Sequence, residues 1–90
     1  MGEIKIEKKS DSELNEMGVF SWPVWEKETS RFDWHYDSDE ACYILEGEVT
    51  VIPKEGKEAV ISAGDFVTFP KGMDCVWNIK KDIRKHYSFS

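Results

Sequence analysis

Glutamine is absent from this chain and asparagine occurs only at Asn15 and Asn78, while Glu and Lys dominate the charged residues. That bias is reported for proteins from hot environments. No apolar run approaches the roughly 20 residues that a membrane-spanning helix needs, and Glu3, Lys5, Glu7, Lys8 and Lys9 put charge where a secretory signal has its apolar segment. A cytoplasmic protein with no membrane partner is expected. Met1-Gly2 opens like an acylation signal, but Ile6 stands where that signal needs Ser or Thr, which excludes it. The two cysteines, Cys42 and Cys75, are too few for a disulfide framework and form no CxxC pair, so free thiols are expected. Positive charge is also short: 12 Lys and Arg against 18 Asp and Glu leave a net charge of −6, which repels phosphate and argues against a nucleic-acid partner. No internal repeat or low-complexity tract is present, which excludes a solenoid.

What remains is one short chain rich in large apolar rings. Its 90 residues allow a single domain, residues 1–90, with a single core. Four Trp, five Phe and three Tyr supply much buried area with few rotamers to freeze. Ser10 and Glu13 form a capping box, Leu14 and Met17 lie three apart, and Gly18 follows, which predicts at most one short helical turn near the N-terminus. Ile4 and Ile6 alternate with charge, as in a strand. From Trp22 onward the pattern is β: segments at 22–25, 32–36, 41–45, 49–52, 59–61, 66–69, 75–79 and 83–89 are separated by turn residues. Residues 41–45 and 49–52 flank Glu46-Gly47-Glu48 and are predicted to form a hairpin. Roughly eight strands suit a small all-β barrel or jelly roll.

Two spaced segments carry the candidate chemistry. His35 is followed after four residues by Glu40 and after six more by Gly47; Gly64 is followed after five residues by Pro70, then Lys71-Gly72, then two residues and Cys75. This resembles the paired cupin motifs, G(X)5HxH(X)3-4E(X)6G and G(X)5PxG(X)2H(X)3N. Lys27 stands at the first glycine, Asp33 at the first histidine, Cys75 at the last histidine and Ile79 at the final asparagine, with Asn78 one place early. Together with residues 42–47 and 64–70, the pattern looks like the small cupins similar to (S)-ureidoglycine aminohydrolase and to ethanolamine-utilisation cupins, over roughly residues 20–88. The resemblance implies an RmlC-like jelly-roll barrel. Cupins that hold a metal often use three histidines and a glutamate, so it implies Asp33, His35, Glu40 and Cys75 as the candidate first shell for a divalent Mn, Fe, Ni or Zn ion. Homodimerisation through sheet pairing is a further possibility that the resemblance carries.

Strand alternation speaks to the same pocket. If Glu40 points inward so do Cys42 and Ile44; Asp33 and His35 share one side of their strand, and Cys75, Trp77 and Ile79 share one side of theirs. Cys42, Ile44, Trp77 and Ile79 are accordingly candidate pocket residues. Each chemical role has a plainer counterpart: His35 as a satisfied pocket or surface imidazole, Glu40 as a hydrogen-bonded turn carboxylate, Cys75 as a small buried filler, and Trp34, Tyr36 and Trp77 as packing residues. His86 matches no ligand position and is expected at the surface or an interface. Two functions therefore stand open: metal-dependent hydrolase or lyase chemistry on a small polar metabolite, with no catalytic residue identified, or a metal-free binding or sensor module for a small molecule.

Overall fold

The computed structural model describes residues 3–89; Met1 and Gly2, with the acylation start considered above, and Ser90 lie outside the described residues. Among these, seven strands follow in order: β1 (Lys5–Glu7), β2 (Val24–Lys27), β3 (Ser30–His35), β4 (Glu40–Pro53), β5 (Ala59–Ser62), β6 (Phe66–Phe69) and β7 (Asp74–Phe89). No helix among the described residues is long and apolar enough to cross a membrane.

The largest correction to the predicted elements concerns β4 and β7. The segments 41–45 and 49–52 do not pair with each other as a hairpin. They are two halves of one strand, and 75–79 and 83–89 are likewise halves of β7, which runs antiparallel to β4 from Glu40 opposite Phe89 to Pro53 opposite Cys75. At Gly47 the chain bulges, with register shifts between Ile44 and Val49. The inward set passes there from Glu40, Cys42 and Ile44 to Val49, Val51 and Pro53, a change of parity that one extra residue imposes. Gly47 has φ 100°, and a Cβ placed on it would lie 2.2 Å from the Asp82 carbonyl oxygen. Glycine serves the close crossing of two strands here. A turn needs the same local freedom, so the local signal alone leaves the two arrangements unresolved.

Because β4 and β7 bend together, each half joins a different layer. One layer runs β1-β6-β4-β7-β2 through Glu40–Tyr43 of β4; in the other, β5 flanks β4 at Glu48–Val51 and β3 flanks β7 at Asp74–Ile79. The result is a jelly-roll β-sandwich. Its interior holds Val49, Val51, Ile61, Val67, Phe69, Trp77, Ile79 and Ile83, all buried.

The N-terminal expectation is borne out. Ser10 caps helix α1 (Asp11–Glu16): its hydroxyl accepts from the Glu13 amide, and the Ser10 amide donates to the Glu13 carboxylate. Gly18 then takes the left-handed conformation at φ 74° and leads into a 3-10 turn, Val19–Ser21. Leu14 and Val19 form a small second core with Phe66, packed by Ala41 and Tyr43. Those two residues alternate with the inward Cys42 and Ile44, so the helix covers the outer face of the first layer.

Candidate functional site

The register of β3 on β7 decides what enters the interior. Phe32 lies opposite Trp77 and Trp34 opposite Cys75, while Asp33 lies opposite Val76 and His35 opposite Asp74. Cross-strand partners project to the same face. Trp77 and Cys75 are buried, so Phe32 and Trp34 turn inward and Asp33 and His35 turn out to solvent. His35 is half exposed, with Nδ1 2.7 Å from Asp74 Oδ1 and Nε2 3.4 Å from Asp37 Oδ1.

The expected metal set is therefore not assembled. Asp33 and His35 are outside, Glu40 and Cys75 are inside, and among the described residues no three His, Cys, Asp or Glu side chains form a group able to hold a metal ion. The physical reason is a slip of one residue. Allowing three residues before the glutamate instead of four, the two inward positions of the first motif are Trp34 and Tyr36, and His35 occupies the outward position between them. A one-residue shift in a strand moves every side chain to the opposite face.

What the interior contains is an aromatic cavity of about 220 Å³, lined by Trp25, Phe32, Trp34, Tyr36, Trp77, Tyr87 and Phe89 together with Glu40 and Lys85. Lys85 donates to Glu40 Oε2 at 2.7 Å, and the two side chains are only 6% and 4% exposed. The Lys85 ammonium also lies 4.7 Å from the Trp77 ring centre and 5.0 Å from that of Trp25, so two indole faces and one carboxylate take the place of water around it. Tyr36 stacks on Phe69 at 4.8 Å, and its hydroxyl accepts a hydrogen bond from Trp77 Nε1 at 3.1 Å. Burial, and after it the Glu40 charge, push the Tyr36 phenol far above its ordinary value, so it keeps its proton and remains a donor.

Of the expected pocket residues, Trp77 lines this cavity, whereas Cys42, Ile44 and Ile79 are packed in the core away from it. Trp34 and Tyr36, expected as packing residues, form its wall; Trp34 remains 43% exposed at that position. Both thiols are free and buried. Burial pushes Cys75 up to about 11 and Cys42 to about 12, so neither is a thiolate near neutrality, and Cys75 Sγ faces the Trp34 carbonyl at 3.7 Å. His86 is half-buried, its Nδ1 2.9 Å from the Trp22 carbonyl oxygen. The residue that sequence reasoning missed is Lys85. Its signal was alternation: Ile83, Lys85 and Tyr87 lie on one face of β7, and the exposed Arg84 lies on the other.

Comparison with known proteins places this geometry among relatives. The family model of the EutQ-like cupin domain matches residues 14–87. The crystal structure of a DUF861 family protein from Thermotoga maritima is 53% identical with a TM-score of 0.95, covering 98% of this chain and 100% of that one. A putative ethanolamine utilization protein Q from Salmonella typhimurium is 30% identical with a TM-score of 0.64, over 71% of this chain and 51% of that one. An uncharacterized protein, YdbB of Bacillus subtilis, is 44% identical over 46 residues, which are 49% of this chain and 41% of that protein. The matches thus span about half or less of the Salmonella and Bacillus chains.

Proposed function

The chain belongs to the EutQ-like cupin family, and from that premise we propose that it is a metal-independent binding protein for a small organic molecule held in the aromatic cavity. One observation carries the reading. At the positions where metal-holding cupins keep histidines this chain has Trp34, Tyr36 and Cys75, and the glutamate that remains is already bonded to Lys85. An indole has no lone pair to give and the one carboxylate is already paired with Lys85, so Tyr36 and Cys75 alone fall short of the three or four protein ligands that a divalent transition metal such as zinc takes. No metal-dependent step is derived for this site. What these residues do suit is binding: aromatic faces exclude water and bury apolar ligand surface, while a few fixed polar atoms orient it.

The test is elemental analysis of protein purified without a metal-affinity tag, together with thermal melts in Mn, Fe, Ni or Zn salts. No stoichiometric metal and no gain in melting temperature are expected, and the His35→Ala variant should behave as the parent does. Trp34→Ala, at a partly exposed wall position, should leave the fold intact and weaken binding of small aromatic compounds. A stoichiometric metal that stabilises the parent would replace this reading with the metal-dependent hydrolase or lyase alternative.

A further inference from the structure

We infer that the cavity selects a neutral, planar ring with an N–H and a C=O on adjacent atoms, a cyclic amide, whose polar edge bridges Glu40 and Lys85. The inference rests on the ligand-binding reading above and specifies its ligand class.

Charge comes first. Among the described residues, the only side chains of opposite charge on the cavity wall are this carboxylate and this ammonium, 2.7 Å apart and almost wholly removed from solvent. The pair sums to zero. An anion drawn to Lys85 meets Glu40 beside it, and a cation drawn to Glu40 meets Lys85; either would also carry an uncompensated charge into a poorly solvated site. A neutral ligand avoids both costs.

Hydrogen-bond capacity then narrows the class. Glu40 Oε2 is occupied by Lys85, whereas Oε1 has no hydrogen-bond partner among the described residues. Glu40 forms part of the cavity wall, so its carboxylate borders the space a ligand would fill. Lys85 has three N–H bonds and directs one at Glu40. The wall thus presents an acceptor next to a donor, and the edge of a cyclic amide presents a donor next to an acceptor. The Tyr36 hydroxyl accepts from Trp77 and still has its own proton to donate, which suits a second ring carbonyl.

Shape and size follow from the walls. Seven of the nine lining residues are aromatic, which favours a flat ring. An apolar cavity of about 150 Å³ accepts benzene, so the volume of about 220 Å³ here suits one substituted ring or a small bicycle.

The probes are 2-pyridone and uracil as cyclic amides, benzoate as anion, benzamidine as cation and toluene as an apolar ring, titrated calorimetrically and by tryptophan fluorescence. At least one cyclic amide should bind about tenfold or more tighter than benzoate and benzamidine, with little dependence on salt. The double variant Glu40→Met/Lys85→Met, which removes both charges together, should lose about tenfold for that amide and none for toluene. The ranking of probes on the parent protein stands as a test even if the variant fails to fold. Tighter binding of benzoate or benzamidine than of either amide, or an amide affinity unchanged in a folded double variant, overturns the inference and leaves the binding reading in place. Failure of every probe, toluene included, overturns the inference and the binding reading together.

Discussion

Replacing Lys85 by Met tests the centre of the site most severely. Lys85 and Glu40 are 5% and 3% exposed as whole residues, so the substitution leaves a nearly buried carboxylate without its counter-charge. Breaking a buried pair from one side costs about 3–5 kcal/mol. With an unfolding entropy of roughly 2 cal/mol/K per residue, that loss should lower the melting temperature by about 17–28 °C in a domain of this size. Glu40→Met should cost a similar amount, because it leaves an ammonium whose remaining neighbours are the Trp25 and Trp77 rings. The double variant is the discriminating member of the cycle. With both charges gone and volume roughly kept, its stability should return to within about 2 kcal/mol of the parent or exceed it, giving a coupling energy of several kcal/mol. Urea unfolding at neutral pH, followed by tryptophan fluorescence and read at constant slope, measures all four corners. Single-variant losses below about 1 kcal/mol, the range of solvent-exposed pairs, would refute the claim that this pair is buried.

Gly47→Ala should destabilise by more than about 2 kcal/mol, since the left-handed backbone alone costs about 1–2 kcal/mol and the added Cβ would meet main-chain atoms of Lys81 and Asp82; Gly64→Ala, also at positive φ but with nothing within 4 Å, is the control and should lose less in the same urea midpoint. Alkaline pH should weaken the fold, because Cys42, Cys75 and Tyr36 are all held above their ordinary values by burial. The stability from keeping them protonated is complete below their unfolded values near 9 to 10 and is lost as pH rises toward the folded thiol values of about 11 and 12. A urea midpoint flat up to pH ~11 would contradict this. Ser10→Ala removes the capping box of α1 and should cost about 1 kcal/mol, checked by the same unfolding assay.

The fold was largely legible because each short strand carries its own signal. Phe66–Phe69 matches its predicted span, and Ala59–Ser62 differs from the prediction by one residue at its end. Legibility failed at Gly47 and between Ile79 and Ile83, where a strand bends without ending. A glycine between two apolar runs looks the same in sequence whether the runs pair with each other or with a third segment. The choice is made by β7, which is long enough to pair with both halves of β4 and which begins more than twenty residues later. Such a non-local partner is invisible to any local window.

The site fails to be legible for a different reason, which bears on how chemistry is read from strand motifs. His35 and Glu40 are the residue types a metal site needs, and their spacing is permitted. The motif tolerates either three or four intervening residues, however, and a strand has a side-chain period of two, so that single residue of latitude decides which face a side chain enters. The cross-strand register settles it: Trp34 opposite the buried Cys75 must point in, and His35 opposite the exposed Asp74 must point out. The same parity brings Lys85 inward between Ile83 and Tyr87 and sets its ammonium against Glu40. Glu40 thus has a covalently tethered ammonium as its partner, and the side chains that share its cavity are aromatic.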